Sequence, residues 1–174
     1  MTQTALVVGA SGIVGSAISK LLIDNNWQVA GLSRHPSQAP GMIPIAADLQ
    51  DPVSLEPALA DLKPTHVFIT TWSRQATEAE NIRVNAAMVR NVLAAIRPAK
   101  SVEHVALVTG LKHYLGPFEA YGRGSLPQTP FREEQGRLDI ENFYYAQEDE
   151  LFAAAEKDGF TGACIARIPL PGLP

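Results

Sequence analysis

One cysteine, Cys164, stands among 174 residues, so no disulfide can close within the chain and a reducing, cytoplasmic setting is expected. An excess of basic residues is also missing: 14 Lys and Arg face 18 Asp and Glu, for a net charge of −4. Such a surface gives no electrostatic footprint for a phosphodiester backbone, and nucleic acid is not expected as a partner. Long apolar runs are lacking as well. None approaches the roughly 20 residues of a membrane span, and no leader-like segment precedes the first apolar run at Ala5, so no membrane partner is expected. The histidines, His35, His66, His104 and His113, show no zinc-ligand spacing, and no metal is expected. Internal repeats, low-complexity tracts and a domain linker are absent. With 46% hydrophobic and 18% charged residues, a disordered chain is excluded, and the length suits one domain with a core.

What is present is an alternation of short apolar runs and helical patterns. Strands are expected at Ala5–Val8, Val29–Leu32, Met42–Ala46, His66–Thr70 and Val105–Val108. Helices are expected at Ile13–Ile23, Pro52–Leu62, Glu78–Ile96 and Asp139–Lys157. The first would turn Ile13, Val14, Ile18, Leu21 and Leu22 inward, and the second has Asp51 as cap and Pro52 at its first position. The last offers Phe143, Leu151, Phe152 and Ala155 for packing. Residues from Gly110 to about Arg137 read as a long loop, a length that in a compact domain usually has a function. Continuous apolar strands between helices imply a parallel sheet covered on both faces. The fold class expected is α/β, a doubly wound Rossmann-type sheet of order 3-2-1-4-5.

Between the first strand and the first helix stands Gly9-Ala10-Ser11-Gly12-Ile13-Val14-Gly15. Gly9 allows a tight turn, Gly12 a close backbone approach to a pyrophosphate, and Gly15 close packing of helix on sheet. The first amides of the helix then face the phosphates, which makes Gly9, Ser11, Gly12, Ile13, Val14 and Gly15 the expected cofactor-binding residues of this loop. At the end of the second strand, Gly31-Leu32-Ser33-Arg34 carries no acidic residue to engage a ribose 2′-hydroxyl. Ser33 and Arg34 suit a 2′-phosphate, which points to NADP(H); the plainer reading is a surface turn. Asp48 and Leu49 follow the third strand, where Asp48 reads plainly as a loop or capping residue. The Gly-x-x-Gly-x-x-Gly spacing resembles the extended and atypical short-chain dehydrogenases, and that resemblance implies that Asp48 meets the adenine edge with Leu49.

The Tyr-x-x-x-Lys signature that this resemblance to short-chain dehydrogenases implies is missing. Tyr-x-x-x-Lys would place a lysine one helical turn after a tyrosine, but four residues after Tyr144 and Tyr145 stand Glu148 and Asp149. An acidic neighbour raises a tyrosine pKa. A lysine does occur after the fifth strand, in Thr109-Gly110-Leu111-Lys112-His113-Tyr114, at the carboxyl edge where a nicotinamide is expected.

The segments Thr109-Gly110-Leu111-Lys112-His113-Tyr114-Leu115-Gly116-Pro117-Phe118 and Asn142-Phe143-Tyr144-Tyr145-Ala146-Gln147-Glu148-Asp149 resemble the two signature motifs of the progesterone 5β-reductase/iridoid synthase family. Ser33-Arg34 and Thr71-Trp72 fit it too, and the resemblance runs from about Thr4 to Phe160. It implies an NADPH-dependent reductase of activated C=C bonds such as enones. Its catalytic residues would be Tyr144 and Lys112, with Thr71, Trp72 and Thr109 beside the cofactor and Phe118 either a substrate wall or a packing residue. Tyr144 would stabilise an enolate oxygen as hydride reaches the β-carbon. The alternative is a non-catalytic NADP(H)-binding or redox-sensing protein. A nucleotide-sugar epimerase or dehydratase is disfavoured by the missing Tyr-x-x-x-Lys.

The organisation expected is an NAD(P)-binding domain over residues 1–160 and an off-family tail over 161–174, with the family's substrate-binding second half lying outside the sequence. In place of the family's next strand, approximately Trp-Ser-Val-His-Arg-Pro-His-Thr, this chain reads Gly162-Ala163-Cys164-Ile165-Ala166-Arg167-Ile168-Pro169. The tail is proline-rich and is expected to make a poor strand, leaving the fifth strand as an open edge and a candidate site for pairing with a second copy. Degenerate codons for Thr161–Pro169, read one base upstream, permit the family's residues in order, which suggests a frameshift near Phe160–Thr161. The coding DNA tests this: its third-position bases should spell the family strand in the shifted frame, and any other bases dispose of the idea.

Overall fold

The structure is a computed structural model that describes residues 3–36, 38–116 and 129–167. In chain order the elements are β1 (Thr4–Val8), α1 (Ile13–Asp24), β2 (Gln28–Ser33), β3 (Met42–Ala46), α2 (Pro52–Leu59), β4 (His66–Ile69), α3 (Glu78–Ile96), β5 (His104–Gly110), α4 (Lys112–Leu115), α5 (Phe143–Asp158) and β6 (Thr161–Arg167). The strands form one parallel sheet of order β3-β2-β1-β4-β5-β6. The expected order 3-2-1-4-5 is therefore present, with one strand added beside β5.

The core follows from the apolar strands. Leu6, Val8, Val67, Ile69, Val105 and Leu107 point to the sheet face covered by α2, α3 and α5, meeting Leu55, Leu59, Val89, Val92 and Leu151. Val7 and Val29 point to the opposite face and meet Ile18, Leu22 and Ile23 of α1. Each large aliphatic side chain buried in this way stabilises the fold by roughly 1.5–3 kcal/mol. Local signals set the helix starts. Asp51 Oδ1 accepts from Val53 N–H at 3.0 Å, with Pro52 in the first turn, as expected for α2.

Four expectations are corrected. The inward side of α1 is Gly15, Ile18, Ser19 and Leu22, whereas Ile13 and Leu21 are 57% and 63% exposed. Gly15 causes this rotation: a Cβ there would lie 2.2 Å from Gly9 O, so the glycine must face the strand and the stripe turns with it. α5 begins at Phe143 rather than Asp139, because Asn142 adopts extended backbone and its Oδ1 accepts from Tyr144 N–H at 3.0 Å. On α5, Phe152 lies 46% exposed instead of packing inward. Within the long loop, Lys112–Leu115 form a short helix, closed by Gly116 at φ +80°. Residues 117–128, including Phe118, lie outside the described ones.

The tail also departs from expectation. β6 pairs with β5 along its whole length, from His104↔Thr161 to Gly110↔Arg167. The prolines that disfavour a strand begin at Pro169, and residues 161–167 keep every ladder N–H, with β-branched Thr161 and Ile165 among them. The sheet edge moves from β5 to β6. Gly162 lies against Leu151 and Phe152 of α5, and Cys164 packs on the core.

The placement of Cys164 predicts its chemistry. Burial first, then the nearby Glu148 carboxylate, push its thiol up to about 12, against a smaller opposing pull from Arg137. A raised thiol pKa keeps the sulfur protonated and unreactive at pH 8, whereas the unfolded chain ionises near the ordinary value of roughly 8.5. Alkylation of the native chain at pH 8 is expected to be at least about tenfold slower than in denaturant. Equal rates would show that β6 is not docked.

Candidate functional site

β1 ends in a turn made by Gly9 at φ +85°, where a Cβ would meet Thr70 Oγ1 and Thr71 Cβ, each at 2.9 Å. Gly9 N–H donates to Leu32 O at 2.8 Å and Gly12 N–H to Gly9 O at 2.9 Å, drawing the turn against β2. Gly12 is the N-cap of α1, so the amides of Ile13, Val14 and Gly15 form its first turn, where backbone donors lack intrahelical acceptors. Next to this turn lies a cleft of about 210 Å3. Of the sequence-derived residues, Gly9, Ser11, Ser33, Arg34, Asp48, Leu49, Thr71 and Trp72 line it, joined by His35, Gln50 and Ser73.

Polar detail inside the cleft discriminates among these residues. Ser33 Oγ is buried without a hydrogen-bond partner among the described residues. An unsatisfied hydroxyl costs roughly 1–3 kcal/mol, so a ligand oxygen there would relieve a cost already present. Arg34 and His35 are exposed at the mouth of the same cleft. Asp48 Oδ1 accepts from Gln50 N–H at 2.9 Å, so its carboxylate holds its own loop while it lines the cleft. Leu49 turns its side chain into the core, and its carbonyl accepts from Asn91 Nδ2 at 2.8 Å. The glycine turn, the helix N-terminus and the orphaned Ser33 hydroxyl together fit a dinucleotide laid from α1 towards β2.

Thr71 and Trp72 belong to the segment after β4, and α3 fixes that segment. Asn85, fully buried, accepts from Ser73 N–H at 2.7 Å and donates to Ser73 O at 2.8 Å. Asn81 Oδ1 accepts from Gln75 N–H at 2.7 Å. Neither asparagine stands out in the sequence, although two polar residues four apart on the inner face of a long helix mark a place where backbone needs partners.

The catalytic candidates sit at the carboxyl edge of β5. Lys112, 2% exposed, forms an ion pair with Glu78, and its Nζ lies 4.4 Å from the centroid of the Phe143 ring. The hydroxyl of Tyr144 stands 3.0 Å from where a Cβ on Gly110 would be. Phe143 stacks on Trp72 at 5.2 Å, and its ring centroid is 4.2 Å from that of Tyr144. Lys112 and Tyr144 thus flank Phe143, and Trp72 links them to the cleft. Thr109 is buried and lines a separate cavity of about 940 Å3, with Leu111, His113, Tyr114 and Cys164.

The acidic residues after the tyrosines have other partners. Glu148 pairs with His113 Nδ1 at 2.9 Å and with Arg137 at 3.0 Å, and Asp149 pairs with Arg137 at 2.6 Å. Tyr145 donates its hydroxyl to His113 O at 2.5 Å and accepts from Leu138 N–H at 3.1 Å. Tyr145 therefore braces α4, and Tyr144 is the tyrosine turned to the strand ends. Glu78 and Arg137 went unnoticed in the sequence because 34 and 11 residues separate them from Lys112 and Glu148. Among the described residues no group of three or more His, Cys, Asp or Glu is placed to hold a metal, and no helix is long and apolar enough to cross a membrane.

Comparisons with known proteins give the family and the fold. A sequence profile of the NAD dependent epimerase/dehydratase family matches residues 5–158. The chain is 39% identical over 166 residues to the (S)-8-oxocitronellyl enol synthase CYC2 of Camptotheca acuminata, a match covering 89% of this chain and 43% of the relative. It is 42% identical over 166 residues to the 3-oxo-Delta(4,5)-steroid 5-beta-reductase of Arabidopsis thaliana, covering 89% of this chain and 42% of that one. The chain thus spans less than half the length of these relatives. In three dimensions it resembles the UDP-glucose 4-epimerase of Brucella ovis in complex with NAD, with a TM-score of 0.73 at 19% identity, over 95% of this chain and 51% of that one. The enzyme WbmH of Bordetella bronchiseptica in complex with NAD+ gives 0.70 at 16%, over 95% and 56%.

Asn85 offers a direct test of how the cleft wall is held. Replacing Asn85 by Ala leaves the Ser73 amide and carbonyl without their side-chain partners. Urea unfolding is expected to show a loss of about 1–3 kcal/mol, with dinucleotide affinity falling alongside. Unchanged stability and affinity would mean that the 73–75 segment holds itself.

Proposed function

Since the chain belongs to the NAD dependent epimerase/dehydratase family and resembles its progesterone 5β-reductase and iridoid synthase members, we propose that it is the cofactor half of an NADPH-dependent reductase of activated C=C bonds. The observation that carries the reading is the convergence of Lys112 and Tyr144 around Phe143, one aromatic stack away from the dinucleotide cleft. An epimerase or dehydratase of the common type would need Tyr-x-x-x-Lys, and Glu148 and Asp149 stand where that lysine would be.

Gly9, Ser11, Gly12, Ile13, Val14 and Gly15 would hold the pyrophosphate, with Asp48, Leu49, Thr71 and Trp72 around the nucleoside and Thr109 at the strand end. Ser33 and Arg34 would take a 2′-phosphate: Ser33 has an unused buried hydroxyl, and Arg34 supplies charge where NAD selectivity would require an acid. NADPH, when bound, supplies the hydride. As the enone β-carbon is reduced, negative charge grows on the carbonyl oxygen, and the Tyr144 hydroxyl donates a hydrogen bond to it. Lys112 adds positive potential that favours the same charge. A proton from solvent completes the α-carbon. The substrate class is a small, apolar α,β-unsaturated carbonyl compound.

The test is consumption of NADPH by the purified chain with a small cyclic enone, with NADH in parallel. Turnover is expected to favour NADPH, and Arg34→Ala is expected to weaken NADPH binding by about 10–100-fold while hardly changing NADH, the scale of one charged phosphate contact. Tyr144→Phe should lower kcat by roughly 100-fold or more, the scale of removing one oxyanion donor. Turnover indifferent to Tyr144→Phe would overturn the assignment of that hydroxyl. Binding of NADPH without any turnover would mean a cofactor domain that lacks its substrate half, and failure to bind NADPH at all would overturn the reading.

A further inference from the structure

Glu78, the first residue of α3, has one carboxylate oxygen on each of two distant elements. Oε2 pairs with Lys112 Nζ of α4, and Oε1 accepts from Phe143 N–H, the first amide of α5, at 2.8 Å. Asn142 makes a parallel bridge: its Nδ2 donates to Lys112 O at 2.9 Å, and its Oδ1 accepts from Tyr144 N–H at 3.0 Å. Main chain and ammonium of Lys112 are therefore both tied to the first turn of the helix that carries Tyr144.

We infer that Glu78 is the positioning residue that holds the Lys112 ammonium and the start of α5 in one frame, so that lysine and Tyr144 keep their mutual placement. The inference rests on the roles proposed above for those two residues. Glu78 acts through Lys112 and is not assigned a contact with substrate. Three physical terms favour a carboxylate here. Lys112 is 2% exposed, and a buried ammonium needs a counter-charge. Phe143 N–H is a helix N-terminal donor, which prefers an anionic acceptor. Glu78 also occupies the first turn of its own helix, where a negative charge is favourable. A glutamine of the same shape keeps the acceptor for Phe143 N–H and removes the charge that faces Lys112, so Glu78→Gln separates the two functions.

The experiment combines a double-mutant cycle with a measurement that needs no turnover. Using the full chain with NADPH and a cyclic enone, Glu78→Gln is expected to lower kcat by about 10–100-fold with the KM for NADPH nearly unchanged, because the adenine end of the cleft is untouched. In a Lys112→Met background the same substitution should change kcat less than about threefold, since the partner through which it acts is gone. Glu78→Asp, which keeps the charge, should recover part of the loss. In parallel, the Cε resonance of Lys112 is followed in lysine-13C-labelled protein and assigned by its disappearance in Lys112→Met. It is expected to move in Glu78→Gln while the resonance of the exposed Lys20 stays. An unmoved Lys112 resonance overturns the inference. So does an equal loss of kcat from Glu78→Gln with and without Lys112. If the unsubstituted chain binds no NADPH, the functional reading fails by itself; if it binds NADPH but reduces no enone, the resonance alone decides whether Glu78 holds Lys112, and an unmoved resonance overturns the inference.

Discussion

The close approach of α1 to the end of β1 is the constraint on which the rest is built. With 2.2 Å between a Gly15 Cβ position and Gly9 O, no side chain fits, and the helix can rest directly on the turn. That contact fixes which face of α1 is buried. It aims the first amides of the helix past the strand end, where a dinucleotide's phosphates belong. It also leaves Ile13 and Leu21 exposed, a modest sacrifice of apolar burial for a position of the helix set by backbone contact. Around the turn, Gly9 at positive φ lies close to Thr70 and Thr71 at the end of β4, so two adjacent strands meet beside the cleft.

The parts of this design carried by local chemistry were legible in the sequence. Apolar runs of four or five residues separated by helical patterns gave β1 to β5 and their order, and the spacing of Gly9, Gly12 and Gly15 marked the turn. The cap at Asp51 could be read from one residue and its neighbours. What escaped depends on contacts between distant positions. β6 has two alanines and a glycine among its residues and little β propensity; pairing with the free edge of β5 makes it a strand. The start of α5 was misplaced because periodicity begins earlier than the cap, and Asn142 decides the boundary. Glu78, Asn81 and Asn85 were invisible for the same reason: their partners lie on other elements.

The two halves of the candidate site differ in physical character. The nucleotide end is a cleft of backbone amides, an unsatisfied hydroxyl and exposed cations, open to a charged ligand. The end that holds the catalytic candidates is dry: Lys112 and Phe143 are each no more than 2% exposed. Electrostatic interactions are stronger in such surroundings, so a single ammonium or hydroxyl has more effect on a developing charge there than at the mouth of the cleft. Trp72, 38% exposed and stacked on Phe143, is the junction between the wet end and the dry one.

A polar stripe on α3 joins these halves. Glu78, Asn81 and Asn85 are spaced three and four apart, so they share one face of the helix, a face otherwise given over to Val84, Met88, Val89 and Val92. Apolar residues at these positions would pack against the core at less desolvation cost. Instead, each polar side chain is spent on a specific distant group: Asn85 on the main chain of Ser73, Asn81 on Gln75, and Glu78 on Lys112 and Phe143. Buried polar groups of this kind add little net stability, but they leave few alternative arrangements, because any shift strands a desolvated donor or acceptor. The N-terminal half of α3 therefore sets the cleft wall and Lys112 from one rigid rod. A displacement of that rod would move both ends of the candidate site together.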